Sequence, residues 1–271
     1  MNNFIVRTLS GAVFVLLVIG SILWHQYAFI AVFSLIAAGA VREFHKITNV
    51  EGQIVVPVIL GVIGALLLFM ASFFYASGSL HISLYPVYGL YVVMVLIAEL
   101  YRKKANPVHN WAYFILGQLI IALPFSLLNF ISFVDGVTYK PLLLIALFAT
   151  IWINDTGAYI IGVSFGKHRL FERVSPKKSW EGFFGGALAA LAAGYVFSVF
   201  IPDLTLVQWL LFSQIVVVFG TFGDLIESLL KRTIGTKDSG NILPGHGGFL
   251  DRFDSMLLAA PVIFIYLSFL F

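Results

Sequence analysis

The chain has 271 residues, of which 60% are hydrophobic and only 11% are charged, and its mean hydropathy is +0.99. This composition indicates a helical protein that crosses a membrane several times, because each crossing needs about 20 consecutive apolar residues. No polar stretch is long enough to form a separate soluble domain. The sequence contains no cysteine, which excludes disulfide bonds, thiolate metal sites and cysteine nucleophiles.

Hydropathy predicts nine membrane-spanning helices, and hence an all-α polytopic membrane protein. They cover residues 8–24, 27–41, 54–76, 83–101, 111–134, 141–163, 182–201, 206–230 and 250–271. The first apolar run is similar to a signal peptide, but the small residues Ala38-Gly39-Ala40 lie too far from it to form a cleavage site, so we expect an uncleaved span. We expect two regions: residues 1–140 with five spans and residues 141–271 with four.

The basic residues segregate under this arrangement. Of the 16 lysines and arginines, all but Lys140 fall on one side of the membrane. The positive-inside rule then places the N-terminus in the cytoplasm and the C-terminus outside. We interpret Arg42-Glu43-Phe44 and Arg102-Lys103-Lys104 as membrane anchors and Glu99 as an interfacial residue.

Acidic residues inside the predicted helices concentrate after residue 150. An ionised group near the bilayer core costs about 2.5–3.5 kcal/mol on insertion scales, so these residues indicate a functional site. One stripe of the eighth helix carries, at i, i+3, i+4 and i+7, Asp224, Glu227, Ser228 and Lys231. For Glu227, an intrahelical pair with Lys231 at the helix end is the alternative to a role in the site, whereas Asp224 is too deep and too short to reach water. Asp224 therefore needs a cation partner, and a metal ion suits it best.

The loop at residues 237–248 combines glycines with charged residues. Its glycines favour tight turns that expose backbone N–H groups, a nest suited to an anion. His246 is suited either to donating to a phosphate or to capping a turn. Lys237 either binds phosphate or faces solvent and lipid headgroups. The glycines assigned to substrate binding are Gly245, Gly247 and Gly248.

Three further carboxylates and two lysines belong to the candidate site. Asp251 and Asp254 are three residues apart at the start of the last span, and capping of a helix N-terminus accounts for only one of them. We expect Asp251 to bind a metal ion. Asp155, in the sixth span, is compatible with a metal, a ligand or a lysine of the next loop. Lys177 and Lys178 either anchor the next span at anionic lipid or neutralise a phosphate.

The same segments resemble the signature of a known family. SLLKR (228–232), KDSG (237–240) and LPGHGGFLDRFD (243–254) closely resemble the signature of the phosphatidate cytidylyltransferases, also called CDP-diacylglycerol synthases, and DTGAY (155–159), SPKKSWEG (175–182) and GDLIES (223–228) resemble its flanking motifs. The resemblance covers about residues 150–254. The first 140 residues are similar only in being multispanning.

This resemblance implies transfer of CMP from CTP to phosphatidate, which gives CDP-diacylglycerol and pyrophosphate in phospholipid biosynthesis. It implies a requirement for Mg²⁺, with a second cation left open, and a homodimer in the cell (inner or plasma) membrane whose active site faces the cytoplasm. No nucleic acid partner is expected. The residues assigned to catalysis are Asp224, Lys231, Arg232, Lys237, Asp238, His246, Asp251 and Arg252. Those assigned to substrate are Lys177, Lys178, Ser228, Gly245, Gly247 and Gly248, and those assigned to metal are Asp155, Asp224, Asp251 and Asp254.

Other function classes make different demands on the sequence. A CDP-alcohol phosphotransferase would carry DGxxAR followed by spaced aspartates, where this chain has DTGAY at residues 155–159. A polyprenol or dolichol kinase also joins CTP to a membrane lipid and is harder to exclude. A transporter would show broken helices and charges in both halves, whereas these charges lie in one half and toward one face.

Overall fold

Helices account for most of the chain. The computed structural model describes residues 3–80, 82–240, 242 and 247–271, with side chains from residue 10 onward. Over these residues the helices are α1 (Asn3–Trp24), α2 (Gln26–Thr48), α3 (Val58–Ala76), α4 (Tyr85–Tyr101), α5 (Pro107–Gly117), α6 (Leu123–Ser132), α7 (Pro141–Phe165), α8 (Trp180–Phe200), α9 (Leu206–Ile234) and α10 (Leu250–Ser268). A helical segment lies at each of the nine predicted positions, and α5 and α6 share the fifth.

Several of these helices are suited to a membrane. In the part of the chain that the structure describes, six segments are long and apolar enough to cross one: Gln26–Thr48, Val58–Ala76, Pro107–Ser132, Pro141–Phe165, Trp180–Phe200 and Leu206–Ile234. Ser10–Trp24 and Tyr85–Tyr101 are apolar but shorter. The protein is therefore all-α and polytopic, as its composition predicted. Nine spans and the orientation of the termini stay predictions.

The chain divides into two units. The first comprises Met1–Lys140 and Thr236–Phe253, and the second comprises Pro141–Gly235 and Asp254–Phe271. The sequence-based division at residue 140 assigned residues 236–253 to the C-terminal region, whereas in the structure they pack with the first unit.

In the first unit, α2 packs against α1, α3 and α5, and α3 packs against α4 and α6. Buried phenylalanines, such as Phe29 and Phe69, fill the space between them. A π-helical turn, Gln118–Ala122, separates α5 from α6. Its buried Gln118 donates from Nε2 to the carbonyl oxygen of Gly61 at 3.0 Å, which ties this turn to α3.

A buried polar network joins α4 and α5 to the turn before α3. Glu99, expected at the interface, is only 6% exposed. It accepts hydrogen bonds from Arg102 Nη1 at 2.5 Å and from Asn110 Nδ2 at 2.6 Å. Arg102 Nη2 also donates to the carbonyl of Val55 at 2.7 Å, and the N–H of Val55 donates to Asn110 at 2.7 Å. Glu99 is thus compensated inside the protein rather than by water or headgroups.

The second unit contains α7, α8 and α9 and a hairpin that the sequence did not reveal. The antiparallel strands β1 (Arg169–Phe171) and β2 (Ser175–Ser179) lie between α7 and α8. Ser179 ends β2 and caps α8, because its Oγ accepts from the N–H of Gly182 at 3.2 Å. Glu181, in the first turn of α8, accepts from the N–H groups of Lys167 and His168 at 3.1 and 3.2 Å. These bonds fix the hairpin on α8.

Small residues bring α7 and α8 close together. A Cβ atom at Gly157 would lie 2.9 Å from the Cβ of Ala189 and 3.2 Å from the carbonyl oxygen of Gly185. A Cβ at Gly185 would lie 2.5 Å from that of Ile161. The two helices therefore contact through their backbones.

We expect Gly157→Val to lower the free energy of unfolding by about 1–3 kcal/mol, the usual cost of overpacking. Thermal unfolding in detergent measures the effect as a lower Tm. Gly89→Val in α4 is the matched control, because a Cβ at that position has nothing within 4 Å. Equal Tm values for the two variants would contradict the close α7–α8 packing.

Candidate active site

The acidic stripe of α9 forms as its spacing predicted. Ser228 Oγ donates to Asp224 Oδ1 at 3.1 Å, and Lys231 Nζ lies 2.6 Å from Glu227 Oε2. Glu227 is buried, and the side chain of Lys231 is 11% exposed. The intrahelical pair, one of the two interpretations of Glu227, is therefore present.

Asp224 has a cation partner, and that partner is a lysine from the hairpin. Lys178 Nζ lies 2.6 Å from Asp224 Oδ2, and each side chain is 29% exposed. Lys178 also interacts electrostatically with Asp155. A lysine of the next loop was one of the three alternatives for Asp155, and strand β2 places this lysine there. Lys177, the preceding residue, is exposed.

Three aspartates of the second unit form an acidic cluster: Asp155, Asp224 and Asp254. Asp155 interacts electrostatically with Asp224, and Asp254 interacts with both of them and with Glu227. Gly223 permits this approach, because a Cβ there would lie 2.6 Å from the carbonyl oxygen of Asp254. The sequence-predicted association of these aspartates is therefore present in the fold.

A cavity of about 280 Å³ lies beside the acidic cluster. Its charged lining consists of Asp155, Asp224, Lys177 and Lys178, and its apolar lining includes Ala158, Tyr159, Leu170 and Phe183. Adjacent lysines can bind anionic oxygens, and the aromatic and aliphatic walls can contact an apolar group. The cavity therefore suits an anionic ester with an apolar or aromatic part.

The donor chemistry of the acidic cluster suits Mg²⁺, which prefers carboxylate oxygens. In this cluster Lys178 forms an ion pair with Asp224 and interacts electrostatically with Asp155. A divalent cation would balance the remaining negative charge. Among the described residues, no three histidine, aspartate or glutamate side chains are grouped as a ready metal site. In this structure the ammonium of Lys178 forms an ion pair with one oxygen of Asp224.

Asp251, in the first unit, binds the loop before it. The signature loop (residues 236–249, between α9 and α10) donates to Asp251 from the N–H of Ser239 at 3.0 Å and from the N–H of Gly248 at 2.8 Å. Ser239 Oγ lies 2.9 Å from Asp251 Oδ2. These bonds give Asp251 a structural role, and metal binding by Asp251 stays a prediction.

Glu43 binds residues at the end of the signature loop, a contact that the sequence analysis missed. It was interpreted as part of a membrane anchor, but it is only 2% exposed. Its carboxylate accepts hydrogen bonds from the N–H groups of Phe249 and Leu250 at 3.0 and 2.9 Å. The anchor interpretation is therefore wrong for Glu43, whereas the neighbouring Arg42 is exposed. The available signal was an acid within the apolar helix α2, one turn after Gly39.

The remaining predicted residues come from the signature loop and from the helix ends on either side of it. Gly247 has φ of +79°, and a Cβ there would lie 2.5 Å from Asp251 Oδ2, so this position favours glycine. Exposed members of the predicted set are Arg232, Lys237, Asp238 and Arg252. The predictions for Gly245 and His246 concern residues outside the described ranges.

Fold and site together define a polytopic helical membrane protein in which carboxylates and lysines line a small cavity. Residues 5–270 match the family model described as the cytidylyltransferase family, and the chain belongs to that family. The resemblance seen in the signature is thereby confirmed.

Three curated relatives are each named phosphatidate cytidylyltransferase. A Staphylococcus epidermidis protein is 50% identical over 122 residues, which cover 44% of this chain and 46% of the relative. A Bacillus subtilis protein is 38% identical over 219 residues, covering 77% of this chain and 78% of the relative. A Staphylococcus haemolyticus protein is 37% identical over 215 residues, covering 69% and 81%. The chain thus spans about half the length of the first relative and about four fifths of the other two.

We expect Lys231→Met to lower the free energy of unfolding by about 3 kcal/mol, because it removes an ammonium from a buried carboxylate. Chemical unfolding in detergent measures the loss. The double variant Lys231→Met/Glu227→Gln should recover most of it, since residue 227 is then neutral and needs no cation. Equal losses in the single and double variants would show that the ion pair is not what stabilises this part of α9.

Proposed function

We propose that this chain is a phosphatidate cytidylyltransferase, which transfers CMP from CTP to phosphatidate and releases pyrophosphate, giving CDP-diacylglycerol for phospholipid biosynthesis. The family match over residues 5–270 carries the proposal. The relatives named for this activity support it, and so does the cavity in which two lysines and two aspartates meet apolar walls.

The reaction needs charge neutralisation rather than an activated nucleophile. An oxygen of the phosphatidate phosphate attacks the α-phosphorus of CTP and forms a new P–O bond. The bond from that phosphorus to the oxygen bridging to the β-phosphorus breaks, and pyrophosphate leaves with the electron pair. Because the nucleophile is already an anion, no base has to remove a proton. The protein has to bring two anions together in line and to stabilise the leaving group.

The residues of the cavity fit these tasks. In this proposal Lys177 and Lys178 bind phosphate oxygens and reduce the repulsion between the substrates. Tyr159 and Phe183 contact the less polar part of a substrate. Asp224 orients Lys178 through their 2.6 Å ion pair. The side chains proposed to stabilise phosphates and pyrophosphate, from the family signature, are Ser228, Lys231, Arg232, Lys237, Asp238, His246 and Arg252.

Mg²⁺ is the proposed cofactor, with a second cation left open. The carboxylates that would hold it are Asp155, Asp224, Asp251 and Asp254. When bound, Mg²⁺ supplies further neutralisation of phosphate charge. The excess of carboxylates over lysines in the acidic cluster supports this assignment.

We further propose that the protein is a homodimer of the cell membrane, with nine spans, a cytoplasmic N-terminus and an active site at the cytoplasmic face. The one-sided distribution of the lysines and arginines, with Lys140 as the exception, supports this orientation. CTP is then available from the cytoplasm.

Purified protein in detergent, given phosphatidate, Mg²⁺ and radiolabelled CTP, tests the activity. We expect label at the α-phosphate of CTP to enter the lipid and label at the γ-phosphate to appear in pyrophosphate. A lipid kinase would instead transfer γ-label to the lipid. A transporter would release no pyrophosphate, so either of these results would refute the proposal.

We expect Asp224→Asn to lower kcat at least about 100-fold, the upper end of what the loss of a residue supporting a metal ligand costs. The change removes the charge that holds Lys178 and would hold a cation. Pyrophosphate release measures it, and fluorescence-detected size exclusion checks that the variant stays folded. Asp203→Asn, in the loop between α8 and α9, is the matched control and should retain activity. Full activity in Asp224→Asn would remove Asp224 from the site.

A further inference from the structure

The glycine-rich signature loop already binds an anion, and that anion is a side chain of the same chain. The buried carboxylate of Glu43 accepts from the backbone N–H groups of Phe249 and Leu250. Ser239 Oγ lies 3.1 Å from Glu43 Oε2. All of these residues belong to the first unit. Ser239 has one hydroxyl proton and also lies 2.9 Å from Asp251 Oδ2, so the two N–H groups are the donors that compensate the buried Glu43 carboxylate.

Two glycines of the signature loop provide the space for this carboxylate. A Cβ at Gly240 would lie 2.8 Å from Glu43 Oε1, and a Cβ at Gly248 would overlap Glu43 Oε2. Among the described glycines, left-handed φ is found at Gly247 but not at Gly240 or Gly248. Positions 240 and 248 therefore favour glycine because a side chain there would collide with the Glu43 carboxylate, and not because of their backbone φ.

The same face of α2 holds the loop by packing. Gly39 lies one turn before Glu43, and a Cβ there would lie 2.5 Å from Phe249 Cδ2. Phe249 thus rests in a notch of α2 next to the carboxylate. Asp251 binds Ser239 and Gly248 as well, so two carboxylates hold the two described ends of the loop together.

We propose that Glu43 is a positioning residue for the cytidylyltransferase reaction: it sets the conformation of the two described ends of the signature loop and so fixes the positions of the flanking Lys237 and Arg252. This inference rests on the proposed function. In this proposal the N–H groups of Phe249 and Leu250 bind Glu43. Substrate phosphates near the signature loop are therefore bound by side chains and not by these two N–H groups.

The test is a double-mutant cycle on the phosphatidate cytidylyltransferase reaction, with kcat and KM measured for Glu43→Ala, Gly248→Ala and the double variant. We expect kcat to fall about 100-fold in Glu43→Ala, since a shift of about 1 Å in a positioned group can cost that much. Gly248→Ala should cause a similar fall, because its new methyl group displaces the carboxylate. The double variant should be no worse than the weaker single variant, since both changes disrupt one contact.

Losses that multiply in the double variant would overturn the proposal, because Gly248 would then act on the substrate independently of Glu43. Glu43→Gln keeps the size and one accepting oxygen, so it should restore part of kcat with little change in KM. Glu51→Gln, an exposed glutamate of the same unit, is the control and should match the wild type. A Glu43→Ala variant that has a lower Tm but a normal kcat would also overturn it.

Hydrogen exchange in detergent tests the positioning separately from the activity. In Glu43→Ala we expect faster exchange at the amides of Phe249 and Leu250, and in Glu51→Gln we expect wild-type exchange. Unchanged exchange in Glu43→Ala would refute the positioning role. Wild-type protein without cytidylyltransferase activity would refute the proposed function instead, while the exchange result would still show whether Glu43 holds the loop.

Discussion

An ionised carboxylate inside an apolar helix bundle is stable only if cations or N–H groups replace the water that it loses. This chain meets that constraint in three ways. Glu99 is compensated by a neighbouring arginine and asparagine, Asp224 by a lysine on a strand, and Glu43 by the backbone of a loop. Each solution also fixes a segment in place: the turn before α3, the β1–β2 hairpin and the signature loop. The compensated acids therefore hold these three non-helical segments in place.

Features that depend on nearby residues were predictable from the sequence. Apolar runs located the helices, and the spacing in α9 predicted that Asp224, Glu227, Ser228 and Lys231 share one stripe, along which Ser228 contacts Asp224 and Lys231 contacts Glu227. These predictions succeed because helical geometry alone decides which of these side chains are neighbours.

Features that depend on distant residues were not predictable in the same way. The sequence made Lys178 a candidate for binding phosphate or lipid. Its pairing with Asp224 depends on a hairpin with only eight strand residues, which are too few to show a clear alternating pattern in the sequence. Glu43 bonds residues about 200 positions later in the chain. The glycines around its carboxylate indicated an anion, and nothing local could show that the anion was internal. Sequence alone therefore located the signature but not what holds it.

The π-helical turn at Gln118–Ala122 affects how the segment from Pro107 to Ser132 is to be interpreted. Such a turn accommodates one additional residue, and each residue of an α-helix advances by roughly 100° around the axis. The helical phase of α6 is therefore offset from that of α5. A single helical periodicity drawn through the whole segment would place certain positions on one lipid-facing stripe. Because of the offset, these positions lie on different faces of α5 and α6, so a stripe can be assigned only within α5 or within α6.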